Sequence, residues 1–155
     1  MNINPKNYAL KALEIAKEDL RRDKHLVPVA FVVTDNDVLD FSLDFEDAEQ
    51  KASVYAELVE MAKQKGGRAI ITINDANVRN PVRADSEHHG SEKVTPKEVQ
   101  ECIYLAVSGP SIQTWTICLP YERVGNEIVF GSPSETLDDI LSLLPGWPTM
   151  QPRVS

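Results

Sequence analysis

The chain predicts an α+β fold, a mainly antiparallel sheet of about six strands with three helices packed against it. The expected order is α-β-β-α-β-(long loop)-β-β-β-α. Three observations carry this. Leu39, Phe41, Leu43 and Phe45 alternate with Asp40, Ser42 and Asp44, a period of two that marks a strand with one face in oil and one in water. A second strand-like run occupies 27–33, and Asp35-Asn36-Asp37 lies between the two as a turn. Helical-period stripes separate the hairpins, the pattern of one sheet joined through helices. The apolar sides of the strands are expected to gather into a common layer roofed by the helices.

The elements follow in order. Asn4-Pro5 reads as an N-cap with proline at the first helical position. Tyr8, Ala12, Ile15, Ala16 and Leu20 then recur at helical spacing, widened by Leu13, and the helix ends near Asp23. Glu18 and Arg22 form an i,i+4 pair on its wet face. After the hairpin, Asp47 with Gln50 has the form of a capping box. Ala52, Tyr55, Ala56, Val59 and Ala62 make the second stripe, with Leu58 and Met61 beside it, and Gly66-Gly67 stops it. Residues 68–73 are continuously apolar or β-branched, so they read as an interior strand covered on both faces.

From Asp75 to Glu98 the pattern collapses into polar residues, Gly90, Pro81 and Pro96. A loop longer than about 15 residues is uncommon and is typically functional or disordered. Residues 102–107 form the next strand and 112–121 its partner. Val124-Gly125-Asn126-Glu127 is a hairpin turn leading to a strand over 128–130. Ser132-Pro133-Ser134-Glu135 reads as the cap of a last helix, with Leu137, Ile140, Leu141 and Leu144 as its stripe. Residues 1–146 therefore read as a single domain and 147–155 as a C-terminal tail.

This order resembles the α-β-β-α-β-β-β-α plan of roadblock and profilin-like proteins with an additional strand, over roughly residues 4–144, and topology alone carries little function. The layout is also similar to a small prokaryotic family of no assigned activity. That likeness rests on Leu26-Val27-Pro28-Val29-Ala30, on Ala69-Ile70-Ile71-Thr72-Ile73 before a polar insertion, and on Pro120-Tyr121-Glu122-Arg123 before a final strand and helix. Asn77 stands where such proteins often carry Trp. The resemblance implies a fold and transfers no functional residue.

Composition narrows the partners. The chain has 155 residues and a net charge of −8. That charge opposes nucleic acid and anionic membranes, which call for basic surfaces. No apolar run approaches the roughly 20 residues of a spanning helix. Met1-Asn2-Ile3-Asn4-Pro5 lacks the apolar stretch of a signal peptide, and two cysteines without one read as reduced thiols, so a cytoplasmic location is expected.

No catalytic set emerges. There is no Gly-rich phosphate cradle, Gly-x-Ser-x-Gly elbow or Cys-x-x-Cys. His88-His89 beside Asp85 and Glu87 could offer metal ligands, but adjacent histidines lack the i,i+4 spacing of a helical zinc pair. Arg79, Arg83, Lys93 and Lys97 make the long loop locally basic, among five carboxylates that leave it not basic in sum. The loop site is therefore Arg79, Arg83, Asp85, His88 and His89. Cys102 and Cys118 fall on neighbouring strands and could face each other; neither has a basic neighbour to activate a thiol. The carboxylates from Asp35 to Glu49 fail the calcium-loop pattern, lacking an oxygen ligand at Leu39 and a glycine at Asp40. Trp147 and Met150 are costly to expose and mark a candidate interface. The expected function is a non-enzymatic domain acting through protein contacts, as a homodimer and without cofactor or metal. The alternatives are a hydrolase or metal-dependent enzyme using the 75–98 loop, and a small-ligand sensor with a pocket between sheet and helix.

Overall fold

The computed structural model describes residues 3–43, 46–79, 99–110, 112–137 and 144. Helix α1 (Pro5–Asp23) begins as its sequence dictates. The Asn4 side-chain oxygen accepts the Asn7 N–H at 3.0 Å, and proline opens the first turn. It closes at Lys24, whose φ of 66° is left-handed and whose N–H returns to the Leu20 carbonyl at 2.8 Å. Strands β1 (Val29–Val33) and β2 (Val38–Ser42) pair from Val29↔Ser42 to Val33↔Val38, turning where Thr34 N–H donates to the Asp37 carbonyl. Helix α2 (Ala48–Gln64) is capped by the Asp47 carboxylate, which accepts the Gln50 N–H at 2.8 Å. The Gln50 side chain reaches back to the Glu46 N–H, one residue before the donor a capping box uses. Gly66, at φ +70°, takes the left-handed position that ends the helix.

Strands β3 (Ala69–Arg79), β4 (Val99–Gly109), β5 (Ile112–Val124), β6 (Glu127–Phe130) and β7 (Ser134–Leu137) complete the fold. The sheet order is β2-β1-β3-β4-β5-β6, with β7 also on β5, and every pairing among the described residues is antiparallel. The α+β class and the antiparallel sheet stand as the sequence predicts.

Three details differ. Strand β3 runs past Ile73 to Arg79, each residue from Ile70 onward paired with β4. Asn74, Asp75 and Asn77 are poor strand formers, but the neighbouring ladder outweighs local preference. The expected 75–98 loop therefore loses its first five residues to the strand, and residues 80–98 lie outside those described. Second, Ser134–Leu137 is a strand and not the first turn of a third helix. Backbone groups of β5 from Trp115 to Cys118 need partners, and β7 supplies them in register from Trp115↔Leu137 to Cys118↔Ser134. Trp115 Nε1–H donates to Glu135 at 2.9 Å, which fixes the strand although its four residues are exposed. Two helices stand among the described residues, and 138–143 lie outside them.

Third, the strands do not share one apolar layer. The sheet lies between two cores. Ala30, Val32, Ile70 and Leu43 pack with Tyr55, Leu58, Val59 and Ala62 of α2. Ile71, Ile73, Ile103, Leu105, Ile117 and Leu119 pack with Ala9, Leu13, Ala16 and Leu20 of α1. Phe41 and Ile70 therefore belong to one side and Ile117 to the other, because consecutive strand residues point to opposite faces. The interior strand covered on both faces is β3, with Ile70, Ile71 and Ile73 all essentially inaccessible. Among the described residues, no helix is long and apolar enough to cross a membrane.

Candidate ligand-binding site

Among the described residues, helix α1 lies chiefly over β3, β4 and β6 and only flanks the sheet face at β1 and β2. A cavity of about 490 Å³ opens there. Its floor follows from register. Asp40 pairs with Phe31, and Ser42 with Val29, which pairs in turn with Ile73. These side chains share one face because partners directly opposite in an antiparallel ladder do. The wall is α1, through Tyr8, Lys11, Ala12, Ile15, Ala16, Asp19 and Asp23; His25, Leu26 and Val27 close the end.

The lining is mainly apolar with a few polar groups. Tyr8 meets Phe31 edge-on at 5.3 Å between ring centres. Ile15 and Val27 are 61% and 55% exposed, so large apolar side chains stand at the mouth in water. Arg22 bonds Asp19 at 2.9 Å and Asp23 at 3.0 Å, and its hydrogen bond holds the Asp23 carboxyl below the usual range. Among the described residues, no side-chain hydrogen bond or ion pair engages Asp40, Ser42 or Lys11.

Three other groupings lie outside the cavity. Arg123 donates to Glu101 through Nε at 2.9 Å and Nη2 at 3.2 Å, and through Nη1 to the Lys24 carbonyl at 2.8 Å. This clasp ties β4 and β5 to the end of α1. Tyr121 donates to the same Glu101 at 3.4 Å; burial, then the Glu101 charge, pushes its phenol up to about 12. A base at neutral pH needs the opposite shift. Cys102 and Cys118 are diagonal and not opposite: Cys102 faces Pro120 and Cys118 faces Tyr104. Burial, with Cys118 beside it, pushes the Cys102 thiol up to about 12, which suppresses the thiolate. At the end of β3, Arg68 Nη2 donates to the Ile3 carbonyl at 2.6 Å. Its Nε lies 3.0 Å from Asp35, close but not aligned as a hydrogen bond.

Of the loop site expected from sequence, Arg79 is the last residue of β3, paired with Val99. Arg83, Asp85, His88 and His89 lie outside the described residues, as do Trp147 and Met150. Among the described residues, no three of His, Cys, Asp and Glu come together as a metal site requires. The cavity residues were not singled out by sequence. Asp40 and Ser42 read as a wet strand face, which they are; nothing local says that this face looks under a helix. The signal was Ile15, an apolar residue beyond what the α1 contact needs. The chain matches no family model, no curated protein and no solved structure.

Proposed function

We propose that the chain is a non-catalytic binding domain that senses a small ligand in the cavity between α1 and β1–β2. One observation carries this reading. The cavity falls within the roughly 300–1,000 Å³ of small-molecule sites and shares their lining, apolar and aromatic with a few polar groups at fixed positions. The perturbed groups elsewhere, Tyr121 and Cys102, are shifted away from reactivity, which favours binding over catalysis.

A fragment screen followed by amide NMR tests it. Ligands should shift residues 8, 31, 40 and 42 together, and Ser42→Trp, which places an indole over the floor, should abolish those shifts. Fragments that ignore these residues, or bind Ser42→Trp equally, overturn the reading.

A second reading is protein contact through β2, as a homodimer. It is favoured by the outer edge of β2, which pairs with no strand among the described residues and offers backbone donors and acceptors to another chain. Light scattering distinguishes a 17.3 kDa monomer from twice that mass. The roadblock or profilin-like relationship belongs to this proposal as well, supported by the order of elements from α1 to β5.

A further inference from the structure

We propose that the cavity between α1 and β1–β2 takes an organic ammonium ion carrying an apolar tail. This rests on the ligand-binding reading above and names the ligand's chemistry. The tail is required by the lining: Ala12, Ala16, Val29, Phe31 and Ile73 offer no hydrogen bond, so only apolar matter gains by displacing water from them.

The headgroup follows from charge. Asp40 is a carboxylate on a strand, held by its ladder to β1, and no side chain among the described residues forms an ion pair with it. Asp19 and Asp23 share the single guanidinium of Arg22, which leaves that trio one negative charge in excess. Lys11 is the opposing cation in the lining; it is exposed and sits on a flexible four-carbon stem that can turn its charge to solvent. The balance around the cavity is therefore negative, within a chain of net charge −8 that draws cations toward it. The Tyr8–Phe31 pair beside Asp40 adds ring faces that attract alkylammonium groups. An anion would meet the reverse of each term.

Three probes with one tail test the claim: octylammonium, octanoate and octanol, titrated below micelle-forming concentrations against the full chain and followed by amide NMR. Octylammonium should bind saturably at residues 8, 31, 40 and 42, more tightly than either partner. Asp40→Asn should weaken it about two- to five-fold, the range of an exposed charge pair, and Lys11→Met should leave it unchanged or tighten it. Both positions are exposed, and unchanged melting temperatures confirm that the variants are folded. If octanoate or octanol binds as tightly, or Asp40→Asn has no effect, the ammonium assignment is overturned while the ligand-binding reading stands. If none of the three shifts the cavity residues, the ammonium assignment fails. The fragment screen then decides the ligand-binding reading separately.

Discussion

Ile70 and Ile71 are neighbours in sequence, both with no accessible surface, yet they belong to different cores. A sheet with one wet face would make one of them nearly dispensable. Truncation to alanine removes three carbons from each, about 2.4 kcal/mol at 0.8 kcal/mol per buried carbon. The space left behind adds to that, since buried Ile→Ala changes cost about 2–5 kcal/mol in all. Ile70→Ala and Ile71→Ala should therefore each lose about 2.5–5 kcal/mol, the first by opening space under α2 and the second under α1. Urea unfolding followed by tryptophan fluorescence measures both, with the m-value as a check that the denatured state is unchanged. A loss below about 1 kcal/mol for either variant would show that its face is not packed, and the two-sided architecture would be wrong.

Other expectations follow from single contacts. A Cβ at Gly109 would collide with the Arg68 carbonyl oxygen, a backbone atom at the irregular end of β4, so Gly109→Ala should cost about 2–3 kcal/mol by the same assay. Lys24 holds a left-handed φ of 66° that costs an L-residue about 1–2 kcal/mol, while glycine's extra freedom when unfolded takes back about 0.5–1, so Lys24→Gly should raise stability by about 0.5–1 kcal/mol. Tyr121 and Cys102 both keep their protons in the fold above their ordinary values of 10.0 and 9.0. As pH rises through those values the unfolded chain binds fewer protons than the folded one, so stability must fall from about pH 9 toward pH 12. Denaturant midpoints across that window should decline, and less steeply in Tyr121→Phe. The raised Cys102 thiol should also react slowly with a disulfide reagent at mildly alkaline pH, while half-buried Cys118 reacts first.

Local chemistry made much of this fold readable. Asn4, Pro5, Asp47 and Gly66 announce helix ends because caps are decided by a few adjacent residues. The Leu39–Phe41 alternation names its strand because Asp40 and Ser42 between them stay in water. The misread segments are those decided from a distance. Ser134–Leu137 carries a helix cap's residues but is claimed by the unpaired edge of β5, some twenty positions earlier. Residues 75–79 look like a loop until β4 lies beside them. Ile15 fits the stripe of α1 and was expected to be buried; the helix sits over β3 and β4, so this residue overhangs the cavity instead. The cavity was the least legible feature, since it exists only between elements whose offset no periodicity records.

The far side of β5 is divided. β7 occupies Trp115–Cys118 and β6 occupies Tyr121–Val124, four residues each. Between them stands Pro120, which has no N–H to offer and whose carbonyl already accepts the Gly131 N–H at 2.8 Å. This border is chopped into short lengths, whereas β2 presents one uninterrupted run. Growth of a fibril by strand stacking requires each added molecule to expose a border as long as the one it consumed. Among the described residues the two ends of the sheet are unlike, so the border at β6 and β7 does not repeat the one at β2.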